Sequence, residues 1–137
     1  MVDVKLCIGN KGKSYNIVQD IENFKGKKIH DKISGEAMGL SGYELEITGG
    51  SDKAGFPLRF DVSGVLRKKI LIVTGVGTRN KDKGKKVRKT VASNKLNDYT
   101  AQVNLKVIKA GQKSIEELIG IVPKEAPAKA KELKAEA

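Results

Sequence analysis

Reactive and metal-binding side chains are almost absent from this 137-residue chain, which has one cysteine, Cys7, and one histidine, His30. A single cysteine excludes an internal disulfide and is typical of a reducing compartment. These two side chains are too few for a structural zinc site, and no motif supports them as a Cys–His nucleophile pair. We therefore expect no metal, no cofactor, no small-molecule substrate and no enzymatic activity.

Long apolar runs and aromatic residues are also scarce. No stretch approaches the ~18 consecutive apolar residues of a transmembrane helix. Asp3 and Lys5 interrupt the N-terminus, where an apolar signal segment would lie. With three Tyr, three Phe and no Trp, the chain offers few platforms for stacking single-stranded bases. We therefore expect no membrane partner, and we expect any bound RNA to be recognised by shape and backbone contact.

Acidic residues are outnumbered, because 16 Asp and Glu stand against 27 Lys and Arg and leave a net charge of +11. The segment 67–89 carries +9 of this charge, since only Asp82 opposes its ten basic residues. Glycines and an asparagine interleave with these residues and predict a mobile basic loop at about 74–89. Such a loop suits a phosphate backbone, and its affinity for RNA should fall steeply with salt. The alternative is that the run is only a solvated face.

The predicted RNA contacts are the basic residues of this segment and one arginine that precedes it. Arginines bind phosphate with two hydrogen bonds, whereas lysines act as point charges. Replacing Arg67, Lys68 and Lys69 with Ala is predicted to weaken RNA binding and to leave the domain folded. The complete set of candidates is Arg59, Arg67, Lys68, Lys69, Arg79, Lys81, Lys83, Lys85, Lys86, Arg88 and Lys89.

Hydrophobic periodicity predicts a mainly β fold. Apolar and polar residues alternate along 2–8, 43–48 and 103–107, as they do in half-buried strands. Further strands are predicted at 14–18, after a turn at 9–12, and at 28–33, 70–73 and 86–91, with the apolar run 70–73 fully buried and preceded by a helical turn. Many short strands between Gly-rich turns are typical of a small closed or partly open β-barrel.

The C-terminal region differs in composition from the rest. Ser114 and Glu117 form a capping box, which predicts a short helix ended by Gly120 and Pro123. Residues 123–137 are almost all Ala, Lys, Glu and Pro, a composition that buries little surface. The predicted organisation is therefore a basic β-barrel domain at 1–122 and a flexible or partly helical tail at 123–137.

The run Ile47-Thr48-Gly49-Gly50-Ser51-Asp52-Lys53-Ala54-Gly55-Phe56-Pro57-Leu58 is the most distinctive segment. Its glycines tolerate positive φ, Asp52 can close an Asx-turn and Pro57 fixes φ, so a rigid loop is predicted. The run lacks the Gly-Lys-Ser/Thr ending and the following helix of a nucleotide-binding loop. Asp52 and Asp61 are predicted to cap turns rather than to act as paired catalytic carboxylates.

The run resembles the signature of the family of small-subunit ribosomal protein six, of the archaeal and eukaryotic type. The matching positions are Ile47, Gly49, Gly50, Asp52, Gly55 and Pro57, and Leu58 stands where the family has methionine. Residues 83–91 and 103–107 are similar to the family's basic stretch and closing strand, whereas Ala92-Ser93 replaces its Arg-Gly. The resemblance extends over about residues 2–120.

The resemblance implies a structural constituent of the small ribosomal subunit, cytoplasmic and ribosome-bound, with ribosomal RNA and neighbouring ribosomal proteins as partners. It also implies a barrel similar to those of translation proteins, in which the signature loop either touches RNA or forms a barrel corner. Because the long basic C-terminal helix of eukaryotic members is missing, the resemblance is to the short archaeal form. The alternative is a free-standing basic nucleic-acid-binding β-module, either DNA-associated or similar to a translation factor, although no recognition helix for DNA is predicted.

Overall fold

The computed structural model describes residues 2–120, so the predicted tail at 123–137 lies outside the described residues. The described chain is mainly β, as predicted, with one short α-helix, α1 (Ile115–Ile119), and two 3₁₀ turns. Its seven strands are β1 (Asp3–Asn10), β2 (Lys13–Asp20), β3 (Lys32–Ser34), β4 (Glu44–Asp52), β5 (Lys68–Ile72), β6 (Val87–Val91) and β7 (Thr100–Lys109).

Five of the strands form one sheet in the order β2-β1-β7-β4-β3. The central pair β1–β7 is parallel, and the other neighbours are antiparallel. Alternation places Leu6, Ile47 and Val103 on the same covered face, where all three are fully buried. Phe24 and Ile115 pack onto this face from outside the sheet. The alternating patterns in the sequence therefore correspond to the strands that enclose the core.

The strands β5 and β6 form a separate two-stranded sheet. Ile72 and Val91 are buried on its inner face, whereas Lys69, Leu71 and Arg88 are exposed on its outer face. The prediction of a fully buried strand at 70–73 was therefore wrong, because a two-stranded hairpin has only one covered face. The helical turn predicted before it is also absent, since residues 64–66 form a bend.

The two sheets are connected through the glycine-rich run. After β4 the chain reverses at 53–55 and returns beside β4, with Leu58 N–H donating to Gly50 O at 2.9 Å. The returning segment then pairs with the residue after β6, because Ala92 N–H donates to Pro57 O at 2.9 Å. Within the described chain only single bridges join the sheets, and neither sheet closes on itself, so the predicted barrel is not confirmed.

The strand β4 is longer than its alternating pattern indicated, because it continues through Gly49 and Gly50 to Asp52. A bulge at Thr48 shifts the register with β7 and re-aims the strand. Of the three signature glycines, only Gly55 has a positive φ, 87°. Gly50 is required for a different reason: a Cβ there would lie 2.2 Å from Gln102 O, whereas a Cβ at Gly49 would meet nothing within 4 Å.

The helix α1 begins at the predicted N-cap, where Glu117 N–H donates to Ser114 Oγ at 3.4 Å. It is tied to β2 by Glu116, whose Oε1 accepts hydrogen bonds from Tyr15 Oη at 2.8 Å and from Lys13 Nζ at 3.1 Å. The hydrogen bond from Tyr15, followed by that from Lys13, holds the pKa of Glu116 below its ordinary value.

Replacing Gly50 with Ala should lower the free energy of unfolding by about 1–3 kcal/mol, because the added methyl group collides with the β7 backbone. Gly49→Ala is the matched control and should change it by no more than about 0.5 kcal/mol. Chemical denaturation of both variants measures the difference. Equal stabilities would contradict the close approach of β4 and β7 at Gly50.

The Glu116 contacts predict a pH dependence of stability. Because folding lowers the pKa of Glu116, its contribution is present above the ordinary carboxyl value of 4.5 and is lost as the pH falls through the folded value. Glu116→Gln should therefore lower Tm at pH 7 but not at pH 3, whereas Glu117→Gln on the same helix should show no such difference. A Tm decrease for Glu116→Gln that persists undiminished at pH 3 would contradict this assignment.

Candidate nucleic-acid interface

The signature hairpin, which we define as residues 49–59, is organised by Asp52. Its backbone N–H donates to Phe56 O at 2.9 Å, and its backbone carbonyl accepts from Gly55 N–H at 3.0 Å. One carboxylate oxygen accepts from Ala54 N–H at 2.6 Å, which confirms the predicted Asx-turn. The main chain and side chain of one residue thus fix the tight reversal that returns the chain toward β6.

The second carboxylate oxygen of Asp52 accepts a hydrogen bond from Arg67 Nε. The Asp52 side chain is only 4% exposed, so its charge requires this partner, while Arg67 remains 42% exposed. The Arg67 guanidinium also lies 5.2 Å from the centre of the Phe56 ring, in a cation–π contact. Arg67 therefore fastens the start of β5 to the signature hairpin.

Arg59 makes a second connection of the same kind. Its Nε donates to Asp61 Oδ1 at 2.7 Å, and its Nη1 donates to Val76 O at 2.7 Å. Only 14% of the side chain is exposed. Because Val76 lies between β5 and β6, Arg59 links the signature hairpin to the loop that carries the predicted phosphate contacts.

The basic loop joins β5 to β6 and spans residues 73–86, since 87–89 already belong to β6. It folds back on its own hairpin at Gly77, which has a φ of 98° and lies so close to Val91 that a Cβ would be 2.7 Å from Val91 Cγ1. Asn80 shapes the tip, because its Nδ2 donates to Lys85 O at 2.8 Å and its Oδ1 accepts from Asp82 N–H at 3.1 Å. The loop therefore has an internal hydrogen-bonded structure in the described chain.

The other predicted RNA contacts are exposed on the basic hairpin, which we define as residues 68–91. Lys68 Nζ donates to Ser63 O at 2.9 Å, and Lys85 Nζ lies 3.8 Å from Asp82 Oδ2. Within residues 2–120 the remaining members form no ion pair, and they are Lys69, Arg79, Lys81, Lys83, Lys86, Arg88 and Lys89. This concentration of unneutralised charge on one hairpin is suited to a polyanion.

The eleven candidates thus separate into two groups that sequence reasoning had merged. Arg59 and Arg67 are held by Asp61 and Asp52, whereas the other nine are exposed cations. The signal for the first group was the pair of aspartates in the same stretch, which were interpreted only as turn caps. An Asp next to a Gly-rich reversal and an Arg a few residues beyond it can equally form an ion pair across that reversal.

Chemistry of other kinds has little support in the described chain. Cys7 is half-buried in β1, while exposed His30 pairs with Glu46, with Nδ1 to Oε1 at 3.2 Å. Across residues 2–120 no cluster of three or more His, Cys, Asp or Glu side chains is placed to hold a metal ion. The same range contains no helix that is long and apolar enough to cross a membrane.

Comparison with known proteins identifies one family. The sequence model of the family described as Ribosomal protein S6e matches residues 3–120. The small ribosomal subunit protein eS6 of Methanocaldococcus jannaschii is 41% identical over 110 residues, which are 80% of this chain and 84% of the relative. The protein of that name from Methanothermobacter thermautotrophicus is 41% identical over 119 residues, or 85% and 94% of the two chains. That from Natronomonas pharaonis is 37% identical over 124 residues, or 88% and 96%.

Removing the Arg67 side chain should destabilise the domain, contrary to the expectation from sequence that it serves only RNA. Arg67→Ala leaves the buried Asp52 carboxylate without its cation and should cost about 1–3 kcal/mol. Arg88→Ala makes the same chemical change at an exposed residue and should cost less than about 0.5 kcal/mol. Urea unfolding of the two variants without RNA decides between the roles, and equal stability would show that Arg67 has no structural one.

Proposed function

The chain belongs to the Ribosomal protein S6e family, and on that basis we propose that it is a structural constituent of the small ribosomal subunit that binds ribosomal RNA through its basic hairpin. Its relatives are named as small ribosomal subunit proteins, and the matched part of the chain includes the whole hairpin. Membership of a family of structural ribosomal components also confirms that the chain is not an enzyme.

The observation that carries the RNA-binding proposal is the set of exposed cations on the basic hairpin. Lys69 and Arg88 share its outer face, and lysines of the basic loop extend the charge beyond the end of β5. Neutralising RNA phosphates releases condensed counterions, which favours binding and makes it depend on salt. Arg59 and Arg67 act in this proposal as positioning residues, because their hydrogen bonds are already made to protein acceptors.

The proposed location is the cytoplasm, on the ribosome, with neighbouring ribosomal proteins as further partners. The test is sucrose-gradient sedimentation of a native lysate at low and high salt, with the protein detected by antibody. Stoichiometric migration with the small subunit, abolished only at high salt, is expected. Migration at the top of the gradient, or with DNA, would instead indicate the free-standing basic module.

Charge removal from the basic hairpin should weaken RNA binding in a countable way. Arg88→Ala and Lys69→Ala should each lower affinity for a small-subunit ribosomal RNA transcript and make the slope of log K against log salt shallower by about 0.7–0.9 for each phosphate that is no longer neutralised. Lys106→Ala is the matched control, since it removes an equally exposed charge from β7 in the other sheet. Equal slopes for all three variants would show that the hairpin is not the phosphate-binding surface.

A further inference from the structure

An apolar groove of about 450 Å³ opens beside the signature hairpin. Leu58 and Ala92, both buried, line its base, and Val65, Leu66 and Tyr99 line its sides. Leu66 is 70% exposed and Tyr99 is 60% exposed, so the groove presents large apolar surfaces to solvent. Exposed apolar surface concentrated around a concavity is characteristic of a binding site.

The sides of the groove are held in place by hydrogen bonds to their backbone. Asn97 joins the two sides, because its Nδ2 donates to Val65 O at 2.8 Å and its Oδ1 accepts from Tyr99 N–H at 2.8 Å. The buried Ser93 hydroxyl donates to Leu66 O. Since these backbone groups are already bonded, only the side chains of Leu66 and Tyr99 remain free to meet a ligand. A groove fixed in this way loses little conformational entropy on binding.

The rim of the groove is cationic. Arg67 lines the groove, Lys68 follows it in the chain, and Lys53 is next to Tyr99, since Lys53 N–H donates to Tyr99 O at 2.8 Å. The acidic groups nearby are already paired, because Asp52 binds Arg67 and Asp98 lies 3.0 Å from Lys25 Nζ. The groove therefore combines an apolar interior with a positively charged edge.

We propose that this groove binds one unpaired base extruded from folded RNA, stacked on Tyr99 and against Leu66, with its phosphate at Lys53 and Lys68. A nucleotide has flat apolar faces and an anionic backbone, and both match the groove, whereas an apolar protein side chain would leave the cationic rim unmatched. Unpaired bases in loops and bulges are the parts of folded RNA that side chains reach most readily. This inference rests on the proposed function and adds a base contact to the phosphate contacts of the hairpin.

Removal of the Tyr99 ring should weaken binding without changing its salt dependence. Loss of one stacked base makes affinity about tenfold weaker, and the slope of log K against log salt should stay the same because every phosphate remains neutralised. Tyr99→Phe keeps the ring and should bind as the wild type does, and Leu66→Ala should show a smaller decrease of the same kind. Val18→Ala, at an exposed apolar residue of β2, is the control and should have no effect.

The experiment uses the full chain and a small-subunit ribosomal RNA transcript over a series of salt concentrations. Wild-type binding together with unchanged affinity of both Tyr99→Ala and Leu66→Ala would overturn the base-binding groove but not the proposed function. No specific binding by the wild type would instead overturn the proposed function. Circular dichroism confirms that each variant is folded before its affinity is interpreted.

A photoreactive benzophenone side chain in place of Leu66 distinguishes RNA from protein as the occupant in the assembled small subunit. Irradiation followed by mass spectrometry should yield a nucleotide adduct at position 66. An adduct to another protein, with none to RNA, would show that the groove is a protein-docking site and would overturn the inference.

Discussion

The ion pair between Asp52 and Arg67 is the interaction on which the relative placement of the two sheets depends. Asp52 ends β4 in the large sheet, and Arg67 immediately precedes β5 in the small one. In the described chain only isolated bridges connect the sheets, so the pairing replaces the continuous ladder that a closed barrel would have. The carboxylate is buried and also bonds to the Ala54 amide, which makes the turn and the ion pair one unit. Loss of either therefore affects both.

This constraint explains how a segment with a charge of +9 folds as part of the domain. Like charges at this density repel one another and would hold the hairpin away from the sheet. Two arginines at its base are neutralised by Asp52 and Asp61, and each contact is partly or wholly screened from water. The planar guanidinium is suited to such fixed contacts, whereas lysines remain hydrated on flexible stems. Arginine thus anchors the hairpin at its base, and lysines supply most of its exposed charge.

The sequence predicted what depends on local periodicity and missed what depends on distant partners. The alternation in β1 and β7 identified their buried faces, and the Ser114 cap identified the start of α1. The extension of β4 through Gly49 and Gly50 was missed, because isolated glycines favour turns and only the approach of β7 requires them in a strand. The structural roles of Arg59 and Arg67 were missed for a related reason. Their partners are identified by the fold, while their composition resembles that of phosphate-binding residues.

A charged hairpin alone gives affinity without a defined position. Its lysines would bind any closely spaced phosphates, and each bound arrangement would have nearly the same free energy. A protein with a fixed place on a large folded RNA also needs contacts that are satisfied in one register only. The groove beside Tyr99 has this property, because its backbone is fixed by Asn97 and Ser93 and its shape admits few ligands. Scarcity of aromatic residues excludes an extended stacking surface, but one well-placed ring beside a cationic rim is sufficient to set the register.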